Sequence, residues 1–297
     1  MRNQKVFIIL SIVLLFFVIQ NNAYSQCSDA GVCSIGSHKH TEEEETHTNS
    51  SFTFGDRVGY SGKDDDITYN SIFAQGNFAL SKNITGSITM PFNFQSGPAG
   101  SFSGPGDLII GFNYNNPINQ YSSIDFQVGG KFATGSANLG DSLPLAYQSG
   151  LGTNDLLLGV TYNVTQFAFT VAAQIPFGNS TNDYTMLERS PDVLLRMGYN
   201  FPADEQLIIN TELLAIKRLA ESKVVIQGSN PEQFVEIGDS DFLQLNVQAS
   251  LTYLVSKNWG LNLSGAIPLL KRDTNVDGTK RAFTISAGAS YFFNFNL

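Results

Sequence analysis

KRAFTISAGASYFFNFNL, from Lys280 to Leu297, is the stretch whose reading decides the fold. From Phe283 every odd position is apolar: Ile285, Ala287, Ala289, Tyr291, Phe293, Phe295 and Leu297 follow. The even positions Thr284, Ser286, Gly288, Ser290, Asn294 and Asn296 are small or polar, with Phe292 the exception. A period of two marks a strand with one oily and one wet face. The oily parity runs to the final residue, where a soluble strand would more usually pass into a turn. The stretch reads as the closing strand of an outer-membrane barrel.

The other end of the sequence agrees. Arg2 and Lys5 precede an apolar run, Val6 to Ile19, too short to span a bilayer, and Ala23-Tyr24-Ser25 offers small residues at the usual cleavage spacing. Residues 1–25 read as a signal peptide, with Gln26 as the mature start. Tyr24, Ser25 and Gln26 make a poor lipobox before Cys27, which argues against a lipid anchor. Beyond the signal no apolar run approaches the ~20 residues of a membrane helix. A membrane location therefore demands a closed sheet, because hydrocarbon offers no partner to an open edge. Charged residues make up only 14% of the chain, with 27 Gly and 23 Phe, and the net charge is −9. Losing Arg2 and Lys5 with the signal makes it more negative still. Phosphate binding wants a basic face, so nucleic acid is not an expected partner.

Residues 26–50 stand apart: both cysteines, all three histidines and Glu42 to Glu45 lie there, without periodicity. From Ser51 the texture changes to short alternating runs divided by Gly, Asn, Asp, Ser and Pro. Twelve runs can be counted, at 51–60, 67–80, 83–94, 107–115, 122–134, 155–164, 166–177, 192–201, 206–218, 241–254, 258–269 and 281–295. The gaps alternate between long loops and short turns, the latter placed at Asn116-Pro117, Thr165, Pro202-Ala203-Asp204 and Ser256-Lys257. An even strand count, with short turns on one side and long loops on the other, is the pattern of a bacterial outer-membrane barrel. Two runs are untidy. EQLIINTELLAIKR, from Glu205 to Arg218, reads as a helix on propensity alone, and only the turn alternation makes it a strand. In the first run Asp56 falls on the oily parity.

Three runs share a signature: DLIIGFNY (Asp107 to Tyr114), DLLLGVTY (Asp155 to Tyr162) and DVLLRMGY (Asp192 to Tyr199). Each passes from an acid at the long-loop end to a Tyr at the short-turn end. Seven steps of ~3.4 Å cover roughly the 25 Å apolar band of such barrels. Tyr114, Tyr162 and Tyr199, with Phe78, Tyr253 and Tyr291 at comparable places, would form a periplasmic aromatic girdle. Asp107, Asp155 and Asp192 point inward at the outer rim by parity. They would either attract cations there or simply start the strands by satisfying local backbone groups.

GPGDLIIGFNY, KFATGSANLG and GLGTNDLLLGVTYN together resemble the outer-membrane barrels of the phenol meta-pathway degradation-like family, within the long-chain fatty-acid transporter-like barrels. The resemblance covers roughly residues 68–297 and rests on Asp107, Gly111, Tyr114, Asp155, Gly159 and Tyr162. It implies a passive transporter of small hydrophobic or aromatic compounds, without a cofactor. Twelve strands are fewer than in the fatty-acid transporters, and the Cys/His segment has no counterpart there.

Other side chains admit two readings each. Parity places Arg57, Asp125, Lys131, Arg196 and Glu212 in the lumen, either lining a selective path or pairing across the interior. Pro91, Pro176 and Pro268 each remove a ladder donor near the outer end of a strand, so they either open a lateral gap or end the strand at the rim. The barrel region has neither histidine nor cysteine, so His-dependent chemistry has no base there and an enzyme is not expected. The N-terminal segment has donors for Cu or Zn in Cys27, Cys33, His38, His40 and His47, at irregular spacing. Its plainer reading is a local disulfide followed by an acidic spacer, and a third is a plug for the lumen. The metal reading gives an alternative function, a binding protein anchored by its barrel.

The expectation is an all-β protein: a signal peptide (1–25), a short irregular periplasmic segment (26–50) and a transmembrane antiparallel up-and-down barrel of twelve strands (51–297) in a Gram-negative outer membrane. Its partners would be outer-membrane lipid, a small-molecule solute and the barrel-assembly machinery, to which the terminal aromatics would present an assembly signal. The last strand should close the barrel against the first, near Phe52 to Tyr60.

Overall fold

The structure, a computed structural model, describes residues 49–294 apart from 64, 141–142, 230, 271–273, 275 and 277–280. The proposed signal peptide, residues 26–48 of the Cys/His segment and Phe295 to Leu297 lie outside these residues, while the last two residues of that segment, Asn49 and Ser50, already belong to the first strand. What is described is a closed antiparallel barrel.

Its strands in chain order are β1 (Asn49–Tyr60), β2 (Thr68–Ala79), β3 (Ile84–Gly97), β4 (Gly100–Pro105), β5 (Leu108–Asn119), β6 (Ser122–Phe132), β7 (Asn154–Val164) and β8 (Phe167–Phe177), then β9 (Asp192–Pro202) and β10 (Leu207–Arg218). A small two-stranded hairpin, β11 (Lys223–Val225) and β12 (Phe234–Glu236), sits in the following loop, and β13 (Leu243–Ser256), β14 (Trp259–Leu270) and β15 (Phe283–Asn294) complete the wall. Each wall strand pairs with its sequence neighbour, and β15 closes on β1 in an unbroken register from Asn49↔Asn294 to Tyr60↔Phe283. The glutamate-bearing stretch that reads as a helix is β10, fully laddered to β9 and β13. Its Leu214 and Ile216 lie on the inner parity and are buried, so tertiary pairing overrides local propensity there.

β4 and β5 are one stave interrupted by a bulge. Phe92 pairs with Pro105 and Thr89 with Ile109, so three residues (Gly106, Asp107 and Leu108) oppose two (Met90 and Pro91). The extra residue switches the parity, and Asp107 is turned inward. With β4 counted as part of β5, the wall has twelve staves.

The same accounting explains the prolines. Pro91 faces this bulge, and its carbonyl accepts the amide of Gly106 at 2.9 Å. Pro268 lies at a register shift between β13 and β14, and the ladder of β8 to β9 ends at Gln174, before Pro176. All three lie on the inner parity, where a ladder is broken or finished, as a residue without an N–H requires. Proline also corrects one expected turn: Pro117 lies inside β5, and the chain reverses at 120–121 instead. The turn expected at Pro202-Ala203-Asp204 falls at 203–206, with Pro202 the last residue of β9. A register shift beside Pro117 absorbs its missing donor.

Outward positions form an almost continuous apolar coat, including Phe54, Phe112, Val128, Val160, Val171, Leu195, Leu213, Leu263 and Ile285, all exposed in the absence of lipid. Asp56 interrupts this coat four residues above Phe52, on the outer face, where it accepts Asn70 Nδ2 at 2.7 Å. At the short-turn end Tyr114, Tyr162, Tyr199, Tyr253 and Tyr291 are each partly exposed. Tyr199 meets Phe167 with ring centroids 4.8 Å apart, and Tyr291 meets Trp259 at 5.1 Å. Phe78 shares their outward parity.

Candidate functional site

Strand pairing turns alternate side chains into the barrel, and the interior is where function must be sought. It is divided. Inward residues of β7 to β10 are nearly all buried, and Leu157, Ala172, Leu194, Leu214 and Ile216 form an apolar cluster with Ile109 against it. Inward residues of the other staves are mostly small, polar and half-exposed below the mouth, among them Thr53, Gln75, Thr89, Gln127, Gln248, Ser250, Thr252, Asn262, Ser264 and Ser286.

Above the apolar cluster sits a buried ionic network. Lys131 Nζ lies 3.3 Å from Asp107 and 3.2 Å from Asp155, and it also donates to the carbonyl of Thr153 at 3.2 Å. Asp155 further accepts from Thr153 Oγ1 at 2.9 Å, from Gln174 Nε2 and from the Arg189 guanidinium. Arg218 grips Asp192 through Nε and Nη2, each at 3.1 Å. On the other side of the cluster, toward the short turns, Arg196 Nε lies 3.6 Å from Glu212. Lys131 and Asp155 are 1% and 2% exposed. Burying charges so deeply is tolerable only when they are paired and hydrogen-bonded, as Lys131 and Asp155 are.

The network fastens the loops that cover the outer mouth. Asp107 accepts the amides of Gly135 at 3.1 Å and Leu151 at 2.9 Å, so one carboxylate pins both ends of the 133–153 connection. Within that loop a single 3-10 turn, Leu145–Tyr147, packs Tyr147 against Ile67 and Tyr69. Asn93 and Gln95 donate from the inner wall to the carbonyls of Ser149 at 2.7 Å and Gln148 at 2.9 Å. Asn182, in the 178–191 loop, donates to Ala137 and Leu143, while Leu187 joins Ala137 and Leu145 in a small core. The outer mouth thus carries a lid with its own apolar centre.

The sequence-predicted residues fall as follows. Asp125 is inward near the short-turn end, accepting Asn115 Nδ2 at 2.6 Å and Asn163 Nδ2 at 2.8 Å. Arg57 stacks over the Phe73 ring at 5.4 Å. Lys131, Asp107 and Asp155 come together, Arg196 meets Glu212, and Asp192 meets Arg218. The three aspartates lie under the lid and are buried rather than ranged around an open rim. Sequence reasoning missed Arg189, Arg218 and Arg281. Arg218 shares the parity of Glu212 and was legible, but Arg189 and Arg281 sit in or beside loops, where no period applies. Cys27, Cys33, His38, His40 and His47 lie outside the described residues.

No known family model matches the chain, and no curated protein does. Among solved structures, an outer-membrane channel from Pseudomonas putida F1 superposes with a TM-score of 0.64 at 14% identity, over 85% of this chain and all of that one. The protein has the fold of an outer-membrane barrel. The KdgM porin (TM-score 0.43, 13% identity, 82% of this chain and 99% of that one) and the NanC porin (0.49, 7%, 82% and 98%) superpose less well. The fold, the apolar coat and the aromatic ring together place this barrel in the outer membrane, in contact with its lipid.

Proposed function

We propose that the barrel is a passive outer-membrane channel for small molecules, with small aromatic compounds as its substrate class. The observation that carries the channel reading is the division of the interior. One wall is packed with the apolar cluster and ion pairs, while the staves from β13 round through β1 to β6 present half-exposed hydroxyl and amide side chains. Such side chains exchange hydrogen bonds with water and solute at little cost, so a passage along them needs no coupled energy. The aromatic preference rests on the resemblance of GPGDLIIGFNY and GLGTNDLLLGVTYN to the phenol meta-pathway degradation-like barrels. It is also what Arg57 over Phe73 and Arg281 over Tyr69 would suit, since planar cations on rings offer a stacking surface.

Reconstitution into planar bilayers tests the channel reading: discrete conductance is expected, and a silent, correctly folded barrel overturns it. Phenol uptake by intact cells, with the gene deleted and restored, tests the substrate class. Uptake unchanged by the deletion removes it.

A further inference from the structure

At the outer end of the wall, outward side chains of β15, β1, β2, β3 and β4 shape a groove of about 660 Å3. Strand register sets its lining in two rows. Tyr60 pairs with Phe283 and with Thr68, Thr68 with Ser96, and Ser96 with Ser101. In the row beneath, Val58 pairs with Asn70, Asn70 with Phe94, and Phe94 with Ser103. The bulky side chains of Val58, Tyr60, Phe94 and Phe283 make its walls, and the short ones of Thr68, Ser96, Ser101 and Ser103 leave its floor low.

Height, continuity and chemistry point to one occupant. Tyr60 lies eight residues along β1 from Phe52, which pairs with Tyr291 of the aromatic ring. Eight steps of ~3.4 Å at a tilt of ~40° climb roughly 20 Å, which sets the groove near the outer boundary of a ~25 Å apolar band. Ile72 and Phe92, the exposed pair just beneath, belong to the lipid-facing coat, so the groove opens directly out of it. None of its lining residues is charged. Its polar groups are turned to one another or to neighbours: Thr68 Oγ1 donates to the carbonyl of Ser96 at 3.1 Å, the Ser96 and Ser101 hydroxyls lie 2.7 Å apart, Asn70 donates to Asp56 at 2.7 Å, and the Tyr60 hydroxyl donates to Asp66 at 2.9 Å. What the groove offers is therefore chiefly carbon, in a volume usual for a small-ligand site. The wall behind it is fixed from within, where Tyr69 packs on Tyr147 and Gln95 donates to the carbonyl of Gln148 at 2.9 Å, so the groove keeps its shape.

We propose that the groove is a docking site for one acyl chain of an outer-leaflet lipid, which in a Gram-negative outer membrane is lipid A. The chain lies along the groove against Phe94 and Phe283, and the head group stays at the boundary above. Phosphate recognition calls for Arg or Lys, and the groove has neither, so the site reads the chain and not the charge. A methylene laid in a preformed concavity loses more contact with its surroundings than one laid on the convex wall, and this distinguishes a held lipid from a passing one.

Native mass spectrometry of the full chain, folded in detergent and titrated with purified lipid A, tests the site independently of transport. Saturable retention of one lipid A per barrel is expected. S96W/S103W fills the groove from exposed outer positions and should lower lipid A affinity about tenfold or more, the effect of about two methylenes no longer buried. V160W/V171W, on a distant part of the coat, should leave retention unchanged. Heat-modifiable gel migration certifies that both variants are folded. Monophosphoryl lipid A should bind the unaltered protein as tightly as the bisphosphoryl form, a comparison that needs no variant. Loss of binding with the phosphate overturns the site, as does equal retention by S96W/S103W or no retention by the unaltered protein. A dimer that S96W/S103W dissociates would overturn it in favour of a second copy of the chain, and displacement of lipid A by phenol would overturn it in favour of the solute.

Discussion

At Lys131, one ammonium holds two carboxylates and a carbonyl out of reach of water. Lys131→Met keeps the apolar stem and removes the charge, leaving Asp107 and Asp155 facing each other with Arg189 alone to compensate. The expected cost is about 3–5 kcal/mol, the usual penalty for orphaning a buried charge. Denaturant unfolding in detergent measures it, and a loss below 1 kcal/mol would mean that the network is not a structural unit. Asp56 poses the opposite case. Its carboxylate interrupts the apolar coat near mid-band, where acids are disfavoured though less so than Lys or Arg. Asp56→Val should stabilise the barrel in lipid by about 1 kcal/mol, read from urea-driven refolding into vesicles. Destabilisation would show that its bond to Asn70 outweighs the desolvation.

The lid depends on few anchors. Asp107 collects the amides of Gly135 and Leu151, so Asp107→Ala should free the 133–153 loop at both ends while the ladders below it persist. Faster protease cleavage within 133–153 and a larger single-channel conductance are expected from the folded variant. Unchanged cleavage would assign the anchoring to the Tyr147 and Leu145 cores instead. At the closing strand, deletion of Phe293 to Leu297 should abolish membrane assembly, read from heat-modifiable migration of outer-membrane fractions; normal insertion would place the assembly signal elsewhere. The elements were readable where the period of two is long, as in β8, β13 and β15. They were misread at Asn116-Pro117, since proline reads locally as a turn. The bulge beside Pro117, which lets the residue stay in a strand, is set by the partner strand and leaves no mark in the sequence. The ionic network was half legible for a similar reason. Parity turns Lys131, Arg196 and Glu212 inward, but the partner Arg189 arrives from a loop whose path is fixed by side-chain-to-backbone bonds.

For the molecule as a whole, the closure of β15 on β1 has a kinetic consequence. Asn49 and Asn294 end as neighbours, whereas successive staves are joined by turns as short as two residues. Closing a loop of that length costs about 5 kcal/mol of chain entropy by the logarithmic law, and no part of it returns until the last strand is present. Until then β1 and β15 are two long strand edges with apolar faces, ready to pair with any other chain. The seam between β1 and β15 is thus the one join that no short connection holds together, and an unpaired β1 or β15 edge is where misassembly can begin.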